Sequence, residues 1–182
     1  MTSRIDAEAI PVPKWTERSI GGLVVRELFQ RRVLAVPNCS WTGYECDLLV
    51  VEPGLRLIDV EIKISRSDLL ADPRKDKWWR SAGGLWHGSA RQPRDWPPQV
   101  WKHYYVMPAA VWEDGCCMLP AKSGIVLIHE HRDGRPYLKV LRRCRVNPDA
   151  KPIDHVQAIN IARLAGLRMW DALRDLDRSR NG

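Results

Sequence analysis

No run of the chain approaches the ~18 consecutive apolar residues of a membrane span, and no basic-then-apolar leader opens it, so a soluble, cytoplasmic protein is expected. Internal repeats and low-complexity tracts are missing as well. Cysteine is present but not in a useful arrangement: Cys39, Cys46, Cys116, Cys117 and Cys144 are odd in number, share no repeated spacing and include an adjacent pair. That pattern excludes a simple disulfide framework, and the thiols are read as reduced. His129 and His131 beside Cys116-Cys117 do not have the spacings of a structural zinc site. A hydrophobic period is lacking from 81 to 99, a stretch of glycines, prolines and basic residues that reads as a long loop.

What is there begins with size. The chain of 182 residues is long enough to bury a core without staples, and it is read as one domain over 1–182. Lysine and arginine outnumber acidic residues 29 to 22, a formal charge of +7 that suits a polyanionic partner. Tryptophan is abundant at nine, and Trp78, Trp79, Trp86 and Trp96 fall among Arg, Lys, Gly and Pro, where a packed core is least expected.

The chemistry is expected in residues 45–64. Glu45 to Val51 and Leu57 to Ile64 are two β-branched, apolar-rich runs parted by Glu52-Pro53-Gly54, the pattern of a hairpin. In the second run Ile58, Val60, Ile62 and Ile64 share one face, and Asp59, Glu61 and Lys63 share the other. A strand with one wet face accounts for that alternation alone. A register that pairs Glu52 with Arg56 leaves Pro53-Gly54-Leu55 as a three-residue loop, with glycine unusually in the middle, and sets Asp47 opposite Glu61. Two facing carboxylates repel, and a divalent cation is the natural group to relieve that repulsion.

Around the hairpin the spacing predicts a helix capped by Thr16, carrying Ile20, Leu23, Val24 and Leu28 to about Arg32, weakened by Gly21-Gly22. Glu17 and Glu27 both lie close to its apolar stripe. Val33–Val36 is a short strand candidate. Ser65 with Asp68 signals a short helix after Lys63, and Asp72-Pro73 a further turn with Asp72 as its cap. Strands are predicted over 101–107, 124–129 and 136–141, the last an edge entered through Asp133-Gly134. Val156, Ile159, Leu164, Leu167, Trp170 and Leu173 mark a C-terminal helix whose apolar face is read as core. This order of elements gives an α/β sandwich around a mixed sheet.

Asp47 followed after thirteen residues by Glu61-Ile62-Lys63 resembles the Asp…Glu-x-Lys signature of the PD-(D/E)xK nuclease superfamily, with Cys46 where the superfamily name has proline. The continuation Ser65-Arg66-Ser67-Asp68-Leu69-Leu70-Ala71-Asp72 resembles small bacterial and phage members, including the MmcB-like DNA repair proteins. The likeness is strong over 44–78, thinner over 16–43 and 100–128, and absent elsewhere. It implies a restriction-endonuclease-like three-layer α/β/α core and a Mg²⁺-dependent DNA nuclease of DNA repair or phage DNA processing, leaving 5′-phosphate and 3′-hydroxyl ends. Asp47, Glu61 and Lys63 would be catalytic. Mg²⁺, or Mn²⁺ in its place, would be held by Asp47, Glu61, the Ile62 carbonyl and Glu17, with Glu27 the alternative to Glu17. Arg66, Lys77, Arg80, Arg91, Arg94, Trp86 and Trp96 are the candidate contacts to DNA, with single-stranded, flapped or branched forms preferred if the indoles stack on bases. A Trp-rich loop also packs down as a small satellite core, and a chain that keeps the fold and only binds DNA or a partner is the competing function.

Overall fold

The computed structural model describes residues 15–81, 91–112 and 119–181. Helix α1 spans Glu17–Glu27. Thr16 caps it, its hydroxyl accepting from the Ser19 N–H at 3.1 Å while the Ser19 hydroxyl accepts from the Thr16 N–H at 3.0 Å. The helix stops short of Arg32, whose guanidinium instead donates to the Val25 and Phe29 carbonyls, closing the turn toward the sheet.

Strands β1 (Leu34–Cys39), β2 (Cys46–Val51) and β3 (Leu57–Ile62) form an antiparallel meander. The β2–β3 register is the expected one, with Leu48 opposite Val60 and Leu49 opposite Asp59, and the Glu52 N–H donates to the Arg56 carbonyl at 3.1 Å. In the loop it is Leu55, not Gly54, that takes the left-handed conformation (φ 54°), a cost offset by packing of its side chain beneath the C-terminal helix.

After Ser65, which caps α2 (Arg66–Ala71), two 3₁₀ turns cover Asp72–Arg74 and Asp76–Trp78. Strand β4 (Trp79–Ser81), ending where the expected loop begins, pairs with β5 (Arg91–Pro93) inside that loop as a small separate sheet. Then come β6 (Val100–Pro108), β7 (Gly124–Glu130), β8 (Pro136–Arg142) and α3 (His155–Asn181). The main sheet runs β1-β2-β3-β6-β7-β8, with β3, β6 and β7 parallel and the outer pairs antiparallel, so the chain is α/β with a mixed six-stranded sheet. Gly124 is required by close approach, because a Cβ there would lie 2.4 Å from the Tyr104 ring.

Alternate residues of β2 and β3 feed two cores. Leu48, Val50, Ile58, Val60 and Ile62 pack against Ile20, Leu23 and Val24 of α1; Leu49, Val51 and Leu57 pack against Ile153 and Ile161 on the other face. Each buried aliphatic side chain contributes about 1.5–3 kcal/mol. A third cluster joins Leu69 and Trp78 to Tyr105, Met107, Ile125 and Leu127, so segment 66–79 roofs the half of this second face that α3 does not reach.

Three expectations fail here. The Asp59, Glu61 and Lys63 face is not wet: every residue of β3 is buried, because a strand in the parallel centre of the sheet is covered on both sides. Trp78 is core, its indole N–H donating to Asp72 at 2.9 Å; Asp72 is thus a buried acceptor within its turn, not the cap. On α3 only Leu164 of the predicted face packs on the sheet, together with Ala158, Ile161 and Ala165, because the stripe of smaller residues lets the helix come close. Val156, Ile159, Leu167, Trp170 and Leu173 face outward.

Candidate functional site

Glu61 and Lys63 sit at the carboxyl end of β3, beside the parallel strand β6, the end at which open α/β sheets form their binding crevices. One step beyond the Leu48–Val60 pair, Asp47 faces Glu61 at the start of β2. The Asp47 carboxylate accepts from the Ile62 N–H at 2.7 Å, which holds it over the strand end.

Glu61 is enclosed by ammonium groups. Its Oε2 accepts from Lys63 at 2.8 Å and from Lys75 at 2.9 Å, and its Oε1 from Lys77. Lys77 also reaches Asp59 at 3.2 Å, and Lys63 lies 2.9 Å from Asp72. Asp72 accepts from the Tyr105 hydroxyl as well as from Trp78. Burial works to raise the Glu61 pKa, but Lys77, Lys63 and Lys75 outweigh it and hold the carboxyl well below the usual range. Burial likewise works to lower the Lys63 pKa, but Glu61 and Asp72 prevail and the ammonium stays charged. Lys63 can therefore donate positive charge but cannot serve as a base.

Asp47 and Asp59 are the exceptions: burial raises the Asp59 pKa and the Glu61 charge adds to it, although Lys77 works against both. Burial and the Glu61 charge push the Asp47 pKa up to about 7, and among the described residues no ammonium lies at ion-pair distance from it. Among the described residues Asp59, Glu61, Asp68 and Asp72 share Lys63, Lys75 and Lys77, Asp59 also lies 3.7 Å from the His103 imidazole, and Asp47 pairs with no ammonium, so carboxylates outnumber ammonium groups in the cluster. A hard divalent cation suits that imbalance, since Mg²⁺ takes one or two carboxylates and keeps several waters. The donors present are Asp47, Glu61 and the Ile62 carbonyl; no group of three His, Cys, Asp or Glu side chains that could hold an ion exists among the described residues. For Glu61 to join, an ammonium must yield. Lys75, 42% exposed, is freer to do so than Lys77, which is 2% exposed.

No family model and no curated protein matches the chain. Among solved structures, SPO1766, a protein of unknown function from Silicibacter pomeroyi, is similar at a TM-score of 0.54 and 17% identity, over 92% of this chain and 96% of that one. At that identity the likeness shows the fold alone.

Glu17 and Glu27 fall at opposite ends of α1, and both are exposed. Gly21, one turn after Glu17, lies over Ile62, its Cβ position 3.7 Å from the isoleucine Cδ1, so Glu17 belongs to the Asp47 end. Glu27 instead lines a cleft of about 490 Å³ with Phe29, Arg32, Glu52 and Pro53, at the loop end of the hairpin and away from the charged cluster.

The proposed DNA contacts separate. Lys77 is corrected: its ammonium is spent inside, on Asp59 and Glu61, and is not at the surface. Arg66, Arg80 and Arg91 are exposed, Arg80 donating to Gln92 at 3.1 Å and Arg91 pairing with Asp76 at 3.1 Å. Arg94 is half-buried and its backbone N–H donates to the Trp78 carbonyl at 2.7 Å. Trp96 is half-buried, its indole N–H donating to the Arg145 carbonyl at 3.0 Å and its ring centroid 5.8 Å from the Lys122 ammonium. Trp86, His87, Cys116, Cys117 and the 1–14 lead-in lie outside the described residues.

Sequence reasoning missed Lys75, Asp72, Tyr105 and the roles of Lys77 and Asp59. A signal existed in the complementary charge order, Asp59-x-Glu61-x-Lys63 against Asp72-x-x-Lys75-x-Lys77, but it becomes legible only once the acidic face is known to be buried.

Proposed function

We propose that the chain is a metal-dependent DNA nuclease of the PD-(D/E)xK type, acting at the carboxyl end of β3. The observation that carries this reading is the facing pair Asp47 and Glu61, Asp47 without an ammonium partner among the described residues, with the Lys63 ammonium 2.8 Å from Glu61. Asp47, Glu61 and the Ile62 carbonyl would hold Mg²⁺, with Glu17 at the same end of the sheet. When bound, the ion would lower the pKa of a coordinated water and counter charge on the attacked phosphate. Lys63, held charged by Glu61 and Asp72, supplies a second positive group for the charge that develops on the phosphate. Asp59, Asp72 and Lys77 do not touch substrate in this scheme; they fix the Glu61 and Lys63 side chains from beneath. Exposed Arg66, Arg80 and Arg91 supply phosphate contacts around the site.

A second reading, a protein that binds DNA or a partner without cutting, is favoured by one observation: both Glu61 oxygens already accept from lysines. Labelled single-stranded, flapped, branched and duplex DNA, each incubated with the protein in Mg²⁺ or in EDTA, separates the two. A nuclease yields 5′-phosphate products in Mg²⁺ alone. Retention of DNA in both conditions with no cleavage on any substrate would leave the binding reading in its place.

A further inference from the structure

Helix α3 runs from His155 to Asn181, but its contact with the sheet ends well before its C-terminus. Ala158, Ile161, Leu164 and Ala165 pack on β1 and β2, and the Arg168 guanidinium donates to the Asn38 carbonyl at 3.1 Å. Residues 173–180 are exposed without exception. This end is held helical by propagation from the docked turns alone. It also carries its apolar residues in a definite order. Ile159, Ala162, Gly166, Met169, Leu173 and Leu176 recur at alternating intervals of three and four, the a/d repeat of a coiled coil. Ile159 is 67% exposed and Met169 53% exposed, on the side turned away from the sheet.

We propose that a second copy of the chain covers this face, the two α3 helices packing antiparallel about a twofold axis near Leu167 and Arg168. Residue size sets the direction. The small positions, Ala162 and Gly166, lie in the N-terminal half of the stripe and the large ones, Met169, Leu173 and Leu176, in the C-terminal half. Antiparallel pairing sets Ile159 opposite Leu176, Ala162 opposite Leu173 and Gly166 opposite Met169 of the second copy, so each small residue meets a large one. A parallel pair would set glycine on glycine and leave a gap there. Around the Cβ position of Gly166 nothing lies within 4 Å, so a methionine has room to enter.

Charge agrees with size. Arg163, one position beyond Ala162, comes beside Trp170 and Asp177 of the second copy, giving a cation–π contact and an ion pair that the twofold repeats. Trp170 is 66% exposed in the single chain and would be shielded in the pair. No residue of this face belongs to the Asp47–Glu61 cluster, so the inference stands apart from the proposed activity.

Light scattering on the eluting full-length chain, over a range of concentrations, tests it. The expected mass is twice the 20.9 kDa of one chain. Leu173→Glu should weaken association by at least about a hundredfold, and Gly166→Leu should weaken it while leaving helix content intact, because the added side chain fills the space Met169 needs. Arg163→Glu and Asp177→Arg should each weaken the dimer, and their combination should restore it. A wild-type chain that is monomeric throughout, as it would be if its own residues 1–14 covered the face, overturns the proposal. So does a dimer indifferent to Leu173→Glu, and one unmoved by either charge reversal overturns the antiparallel register.

Discussion

Asp47 and Lys77 show how much two charged residues in one cluster can differ. Lys77 is satisfied on every side, and breaking a buried pair by removing one partner costs about 3–5 kcal/mol because the other charge stays behind. Lys77→Met should therefore unfold the chain or lower its melting temperature severely, whereas Lys75→Met should be tolerated and should strengthen Mn²⁺ binding read by water-proton relaxation. Asp59, buried against Lys77, is for the same reason costly to remove. For Asp47 the sign runs the other way. Its folded pKa of about 7 lies above its ordinary value of 3.8, so the Asp47 contribution to stability is fully present below pH 4 and is lost as pH rises through about 7. Asp47→Asn should remove that loss: little gain near pH 4, a gain that grows as pH rises toward 7, and a clearly higher melting temperature at pH 8, at about 2–4 °C per kcal/mol for a chain of this size. A variant that melts lower than wild type at pH 8 would show that Asp47 is not under repulsion. The facing of Asp47 and Glu61 was legible in the sequence because turn length and strand period fix a hairpin register. The neutralisation of Glu61 by Lys75 and Lys77 was not, because the short 3₁₀ turns around them carry no period that says where their side chains point.

At the scale of elements, sequence and structure agree where a local rule governs. The Thr16 and Ser65 caps, the Asp133-Gly134 turn and the β2–β3 hairpin follow from nearest neighbours alone. They part where burial is decided by what lies across the fold. The alternating β3 reads as half-solvated until segment 66–79 is laid over it, and α3 reads as core until its smaller stripe is seen to take the sheet. The β4–β5 pair, whose second strand lies inside the aperiodic stretch, had no sequence signal, since Arg91-Gln92-Pro93 has no strand character by composition. Gly124 tests the packing of the parallel centre. Gly124→Ala brings a methyl group into the Tyr104 ring and should cost about 1–3 kcal/mol, the usual range for overpacking, visible as a lower denaturant midpoint with unchanged m-value. Retained stability would mean that β6 and β7 are less tightly apposed than described.

The molecule as a whole joins a mixed sheet whose central strand β3 is buried throughout to a net charge of +7. If phosphate contacts dominate binding, DNA affinity should fall with salt at a log–log slope of about −0.9 for each phosphate neutralised on duplex. A flat response removes nucleic acid as the partner. With Trp78 in the core and the Trp96 indole N–H tied to the Arg145 carbonyl, Trp96→Ala should change single-stranded and duplex binding alike. The measurement that bears most directly on the account is single-turnover cleavage of one DNA substrate in Mg²⁺ by the wild type and by Asp47→Asn, with binding followed in parallel. The account predicts cleavage by the wild type and a loss of at least about a hundredfold in the variant, with DNA affinity nearly unchanged. A variant that cuts at the wild-type rate, or a wild type that cuts nothing in Mg²⁺ or Mn²⁺, would contradict it.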